Sequence, residues 1–335
     1  MPTSTLDQRP TTATKAHVIE PDPKFRNDFN HNSFLFRHNL QGNPLFELPR
    51  LTQLAENLLK IEGPSALRWK NSNAPVDAKW AQLPPNEQIH SVSEAIQNLD
   101  KSGSWVVLYR VQNDPEYKAI LEQALDDIEE MIGRPLRPEI TWKDSYIFMG
   151  SPHATTPYHI DHETAFLMQV HGNRIATLWD QKDSSVLTQE EVENYYMGDL
   201  GAGTYLEKNQ PKAIVYKMDA GTGVHHPVMA PHTYQNGDTY SVACGVHLNL
   251  RGADQMARAY QVNALLRKLG LNPTPPGVSP AKDKLKIRAL NVFDKKNPTT
   301  KFDLIRSGAW RIKKPFNLIG KLRGQKAPAK SNGAM

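Results

Sequence analysis

The spacing of apolar residues changes twice along the chain. In the first third it has a helical period. "LPRLTQLAENLLKIE" (48–62) repeats leucine at three- and four-residue steps and predicts an amphipathic helix. "SVSEAIQNLDKS" (91–102) opens on Ser91 with Glu94 three positions later, the signature of a capping box. "DPEYKAILEQALDDIEEMIGR" (114–134) is the clearest helix, with Asp114 at the cap, Pro115 in the first turn and Gly133 near the exit. Only "SGSWVVLYRVQ" (102–112) reads as a strand here. From about residue 139 the runs shorten and become strand-like: "ITWKDSYIFMG", "YHIDHETAFLMQV", "RIATLWD", "KAIVYKMD", "HHPVMA" and "YSVACGVHLNLR". One helix-like insert, "LTQEEVENYYMG" (187–198), interrupts them. Many short strands punctuated by Gly and Pro predict a mainly β core, a sandwich or barrel, flanked by helices. After residue 252 the helical period returns in "ADQMARAYQVNALLRKLG", followed by the Pro-rich "LNPTPPGVSP" and a further helix in "AKDKLKIRALNVF".

These textures divide the chain into five parts. Residues 1–25, polar and rich in Pro and Thr, are expected to be disordered. Residues 26–137 form a helical N-terminal region, 138–252 the β core, 253–312 a C-terminal helical region and 313–335 a basic tail. No internal repeat is visible.

Composition narrows the class. The 335 residues suffice for a sizeable core, and 39% hydrophobic with 22% charged residues fits a globular chain. No apolar run approaches the roughly 20 residues of a membrane span. No hydrophobic segment follows the first charges, so no secretory signal is read and a cytoplasmic setting is expected. Cys244 is the only cysteine, which excludes an internal disulfide framework and a cysteine-rich zinc site. The net charge of +5 is local: residues 301–335 hold nine Lys/Arg against Asp303, or +8, so residues 1–300 sum to −3. The basic character belongs to the tail and is poor evidence that the body binds nucleic acid. The tail itself, with Trp310, Phe316, Leu318 and Ile319 among its cations, reads first as a solvated, partly disordered segment, with contact to an anionic surface, membrane or nucleic acid, as the alternative.

The candidate chemistry sits in "TTPYHIDHETAFLMQVHGNRIATLWD" (155–180). Side chains alternate along a strand, so His159 and Asp161 are expected on one face with Ile160 opposite. Two ligands so placed can hold adjacent corners of a metal octahedron. His232, in "HHPVMAPHTYQNGD", is the best third ligand, with His225 and His226 close enough in sequence to substitute for it. Two histidines and one carboxylate on one face form the facial triad of non-haem Fe(II) oxygenases, with positions left for a co-substrate and O₂. His162 is expected on the opposite strand face, in a supporting or surface role; His153, His171 and His247 read as ordinary polar or core residues.

Three separated segments carry a resemblance. "DSYIFMGSPHATTPYHID" ends in Thr-Pro-x-His-x-Asp. "AFLMQVHGNRIATLWD" is similar to an aromatic–x–x–Gln–apolar–x–Gly–x–Lys run, with Arg174 at the lysine position. "GTGVHHPVMAPHTYQNG" contains Pro-x-x-x-x-His. In this order they resemble the JmjC/cupin-like 2-oxoglutarate oxygenases, and among them the branch of the factor-inhibiting asparaginyl hydroxylase, over roughly residues 140–250.

The resemblance implies a double-stranded β-helix, the cupin-like jelly roll, with helical N-terminal and C-terminal segments. It implies Fe(II) held by His159, Asp161 and His232, and 2-oxoglutarate as co-substrate. Pro227, five residues before His232, favours His232 over its neighbours. Thr156 falls where the family donates a hydroxyl to the far carboxylate of 2-oxoglutarate. Arg174 stands where lysine is usual, and a guanidinium grips a carboxylate with two parallel hydrogen bonds. Ala165 stands where asparagine is frequent. Tyr109 or Tyr146 is the tyrosine that joins the co-substrate. The implied reaction is hydroxylation of an unactivated C–H bond in a peptide, amino acid or small molecule, with O₂ consumed and succinate and CO₂ released. The C-terminal helices are expected to cover a sheet or to pair two copies into a homodimer. Two other readings share the ligand set: a cupin enzyme using another metal without 2-oxoglutarate, and a cupin-like metal-binding regulatory protein without turnover.

Overall fold

The computed structural model describes residues 17–79, 83, 84, 86 and 89–291. The basic tail and the end of the C-terminal helical stretch lie outside them.

Eight antiparallel strands make the core: β4 (Ile140–Gly150), β5 (Thr155–His159), β6 (Thr164–His171), β7 (Asn173–Leu178), β8 (Ile214–Asp219), β9 (Thr222–His226), β10 (His232–Asn236) and β11 (Ser241–Leu250). They divide between two facing sheets. The smaller has the order β5-β10-β7-β8, and β9-β6-β11-β4 forms the centre of the larger. Apart from the β7–β8 hairpin, successive strands pass between the sheets, which is the topology of a double-stranded β-helix, or jelly roll.

The larger sheet extends beyond the expected core. β1 (Phe34–Arg37) pairs with β9, β3 (Ser104–Leu108) pairs with β4, and β2 (Leu67–Asn71) pairs with β3, giving seven strands. The region ahead of residue 138 thus supplies three strands where its pattern shows one. β1 and β2 are only four and five residues long, too short for a periodicity to stand out. The helices α2 (Leu48–Glu62), α3 (Val92–Gln97) and α4 (Pro115–Ile132) form where expected, with Ser91 and Asp114 accepting backbone N–H bonds at their N-termini. Their apolar faces (Leu51, Leu54, Leu58, Ile96, Leu121, Ile128) join Ile147, Met168, Val242 and Val246 in one core on the outer side of the larger sheet.

Residues 17–25, expected to lack structure, are tied down. The backbone N–H groups of Val18 and Ile19 bond the buried Asp127 carboxylate at 2.7 and 3.0 Å. Phe25, in α1 (Lys24–Asp28), is fully buried and stacks on Phe166 at 5.5 Å. One buried acid and one aromatic ring, both supplied by distant sequence, order a segment whose composition alone cannot do so.

On the far side, α5 (Gln189–Tyr196) begins in a capping box between Thr188 and Glu191. It packs against α6 (Arg251–Lys268), which in turn contacts α7 (Pro280–Asn291). Arg267 of α6 grips the buried Glu193 of α5 with two hydrogen bonds, 2.8 and 3.1 Å. No helix among the described residues is long and apolar enough to cross a membrane.

Candidate metal centre and anion pocket

His232 opens β10 and is paired in register with His159, the last residue of β5. Each imidazole donates from Nδ1 to a carbonyl two residues before its own, His159 to Pro157 at 2.8 Å and His232 to Ala230 at 2.9 Å. That bond fixes ring and tautomer and leaves each Nε2 lone pair facing the barrel interior. The Asp161 carboxylate lies 3.5 Å from one Nε2 and 3.8 Å from the other. One ligand atom from each residue falls within 4.8 Å of the others, the spacing of a set that can hold one ion.

Asp161 arrives by a different route from the one strand alternation predicts. β5 stops at His159, and Asp161 lies in the bend beyond it, its carbonyl accepting the Met229 N–H at 2.8 Å. Thr156 and His159, three residues apart, would face opposite ways on a regular strand. A register shift between the pairs His232–His159 and Tyr234–Thr156 places an extra residue in β5 and brings both to the ladder positions of the inward-facing β10 residues.

Electrostatics separate the two imidazoles. Burial disfavours charge on both. The adjacent Asp161 nevertheless holds the pKa of His159 above its ordinary value. Burial and the neighbouring His159 hold His232 down at about 3, so it is neutral and able to ligate near pH 7.

The other histidines are sorted by their bonds. His225 cannot substitute for His232: its Nδ1 meets Ala165 O at 3.0 Å and its Nε2 accepts the Asn30 N–H at 2.9 Å, within an aromatic core. His226 is buried and stacks on His232 at 4.5 Å, outside the three-residue set. His162 is neither exposed nor on a strand. It is 1% exposed and bonded to Tyr196 and Asp254. His247 packs on Tyr146, His171 stacks on Tyr240, and His153 is mostly exposed.

Arg174 lies on β7, four residues before Leu178, the β7 partner of His232, or about 13 Å of strand away. It is 6% exposed. Its Nε and Nη2 donate to Ser241 Oγ at 3.2 and 2.6 Å, and its guanidinium lies 5.6 Å over the Tyr234 ring. No carboxylate pairs with it among the described residues. Burial lowers its pKa to about 10, with only Tyr234 opposing. The Tyr234 hydroxyl is likewise buried, without a hydrogen-bond partner among the described residues. A buried cation beside an orphaned hydroxyl costs several kcal/mol unless an anion completes it. Thr156 accepts Trp105 Nε1–H at 3.1 Å, and its own hydroxyl proton has no acceptor among the described residues.

The two tyrosines read from the sequence meet edge to face, 5.1 Å apart, in a cluster with Trp105. The Tyr146 hydroxyl is committed to the buried Asp144 at 2.9 Å. Tyr109 is half-buried and its hydroxyl has no hydrogen-bond partner among the described residues, so it is the freer of the two. Ser241, Tyr234 and Trp105 were missed by sequence reasoning. Tyr234 was within reach, because it stands two residues after His232 on the same strand; Ser241 and Trp105 are brought in only by sheet closure.

A cavity of about 520 Å³ at the start of β4, between Gln112, Arg137, Trp142 and Asp144, is a poor rival for the anion. Its cations are already matched, Arg137 with Asp126 at 2.8 Å and Lys143 with Glu122 at 2.5 Å.

No family model matches the chain, and no curated protein matches it in sequence. Among solved structures it is similar to YcfD, a ribosomal oxygenase from Escherichia coli, in complex with cobalt and 2-oxoglutarate. That likeness has 17% identity and a TM-score of 0.46, over 82% of this chain and 67% of that one. A second structure of E. coli YcfD gives 14% identity and a TM-score of 0.46, over 84% and 70%. A third, in complex with cobalt and succinic acid, gives 16% and 0.44, over 82% and 67%.

Proposed function

We propose that this protein is an Fe(II)- and 2-oxoglutarate-dependent oxygenase of the JmjC/cupin-like class, and that it hydroxylates an unactivated C–H bond. The observation that carries the reading is one barrel interior that holds both a convergent ligand set and a buried cation. Near one end, two imidazole nitrogens and a carboxylate converge within 4.8 Å of one another. Farther along, a buried guanidinium has no carboxylate partner among the described residues. A dicarboxylate with a keto acid at one end answers both.

His159, Asp161 and His232 are the residues that would hold the metal. Two neutral imidazoles and one carboxylate give the site one negative charge, so a divalent cation leaves a net +1 that attracts the keto acid. Arg174, fixed by Ser241, would hold the far carboxylate, with the Tyr234 hydroxyl and Thr156 as further donors. Tyr109 is a weaker candidate for the same end. When bound, the metal and keto acid supply the activation of O₂ that no side chain of this protein can perform. The protein's own part is to orient the keto acid, exclude water at the Arg174 end and leave Asp161, the most exposed of the three, toward the entry side.

Hydroxylation is favoured over demethylation because the motif order resembles the asparaginyl hydroxylase branch. The substrate is a peptide, an amino acid or a small molecule, and the working compartment is the cytoplasm. The test is direct. Fe(II) and 2-oxoglutarate, mixed with the protein without oxygen, should give a weak visible charge-transfer band, and admitting air should produce succinate. A metal-binding protein without turnover would give neither, and their absence would overturn the reading.

A further inference from the structure

Two of the three candidate ligands are held by the sheet, and the third is not. His159 and His232 face each other across a ladder. Asp161 lies in the bend 160–163, and the anchors of that bend come largely from outside the barrel. Ile160 is buried among Leu187, Val192, Tyr195, Met229 and Ala257. The His162 backbone N–H donates to Tyr195 Oη at 3.2 Å. The His162 ring spans two helices, with Nδ1 2.9 Å from Tyr196 Oη of α5 and Nε2 2.7 Å from Asp254 Oδ1 of α6. Asp254 is held in turn by the Thr141 hydroxyl of β4. With its Nε2–H donated to the acid, His162 keeps Nδ1 to accept the Tyr196 proton, so both ring nitrogens are used in a site that is almost fully buried.

We propose that Asp254 and His162 form a positioning pair that fixes the bend carrying Asp161, so that the C-terminal helix α6 sets how tightly the centre holds a divalent cation. The inference rests on the metal reading of His159, Asp161 and His232. The physical reason is rigidity. A carboxylate on an irregular segment loses ligand geometry when the segment can shift by a fraction of an ångström, and groups behind the ligands commonly control affinity in this way. The helices that read as a cover or a dimer contact therefore acquire a role in the centre itself.

Cobalt(II) is the probe, titrated into the full chain and followed by its visible absorption. Asp254→Asn should weaken cobalt binding by about ten- to a hundredfold. Tyr196→Phe, which removes one hydroxyl and no charge, should weaken it by a smaller factor and serves if Asp254→Asn does not fold. Arg267→Gln is the control. It breaks the ion pair between the same two helices, away from the bend, and should lower Tm with cobalt affinity unchanged. Native-like affinity in both Asp254→Asn and Tyr196→Phe would overturn the proposal, as would an equal loss in Arg267→Gln. If the native chain binds no cobalt that Asp161→Asn abolishes, the metal reading itself falls.

Discussion

His159 and His232 are held by the same device on neighbouring strands: each ring donates to the carbonyl two residues before it, and the centroids stand 4.1 Å apart. Replacing either ring by alanine, or Asp161 by alanine, should abolish Fe(II)-dependent succinate formation. The loss of cobalt affinity should exceed the ten- to hundredfold expected of a supporting residue. Calorimetric titration of each variant against the native chain is the measurement.

Arg174→Met should act in opposite directions on two readouts. Without ligand, replacing a buried cation that has no carboxylate partner among the described residues by an apolar side chain should raise Tm. With ligand, 2-oxoglutarate binding should weaken by about 2–5 kcal/mol, because the dianion then enters the barrel without its partner. Thermal melts at increasing 2-oxoglutarate separate the two. An unchanged affinity would remove Arg174 from the co-substrate site.

Ser241 receives hydrogen bonds from Arg174 and from Gln169 Nε2, the latter at 2.8 Å. Ser241→Ala should leave the sheet intact and set the guanidinium loose. The expected result is a rise in the 2-oxoglutarate concentration needed for half-maximal turnover, corresponding to about 1–3 kcal/mol. The maximal rate should change less, since none of the three candidate ligands is touched.

Acid should destabilise the fold through two histidines remote from the ligands. Burial holds His38 at about 4 and His225 at about 3, and each has both ring nitrogens bonded as a neutral imidazole. The unfolded chain takes up these protons near pH 6.5 and the folded chain does not. Between pH 6.5 and 4 the unfolded state therefore binds more protons, and stability falls as pH falls. The slope is about 1.4 kcal/mol per pH unit for each group. Urea midpoints at pH 7.5, 6 and 5 measure it, and His38→Gln should remove one group's share.

The chain's own order of residues determined much of this protein. Helical periods and caps marked α2, α3 and α4, because each depends on contacts within a few residues. Short alternating runs marked a β core for the same reason, and the spacing Thr-Pro-x-His-x-Asp, with His232 downstream, named the candidate ligands. Pairing over distance was decided only by the tertiary structure. The short strands β1 and β2 exist because β9 and β3 offer them edges. The extra residue in β5 turns Thr156 and His159 to one side, and only the partner strand β10 imposes that shift. Ser241 stands beneath Arg174, and Asp254 behind Asp161, through closure of the barrel and packing of α6. Local spacing encodes which atoms can do chemistry; the packing of segments far apart in sequence decides which of them meet.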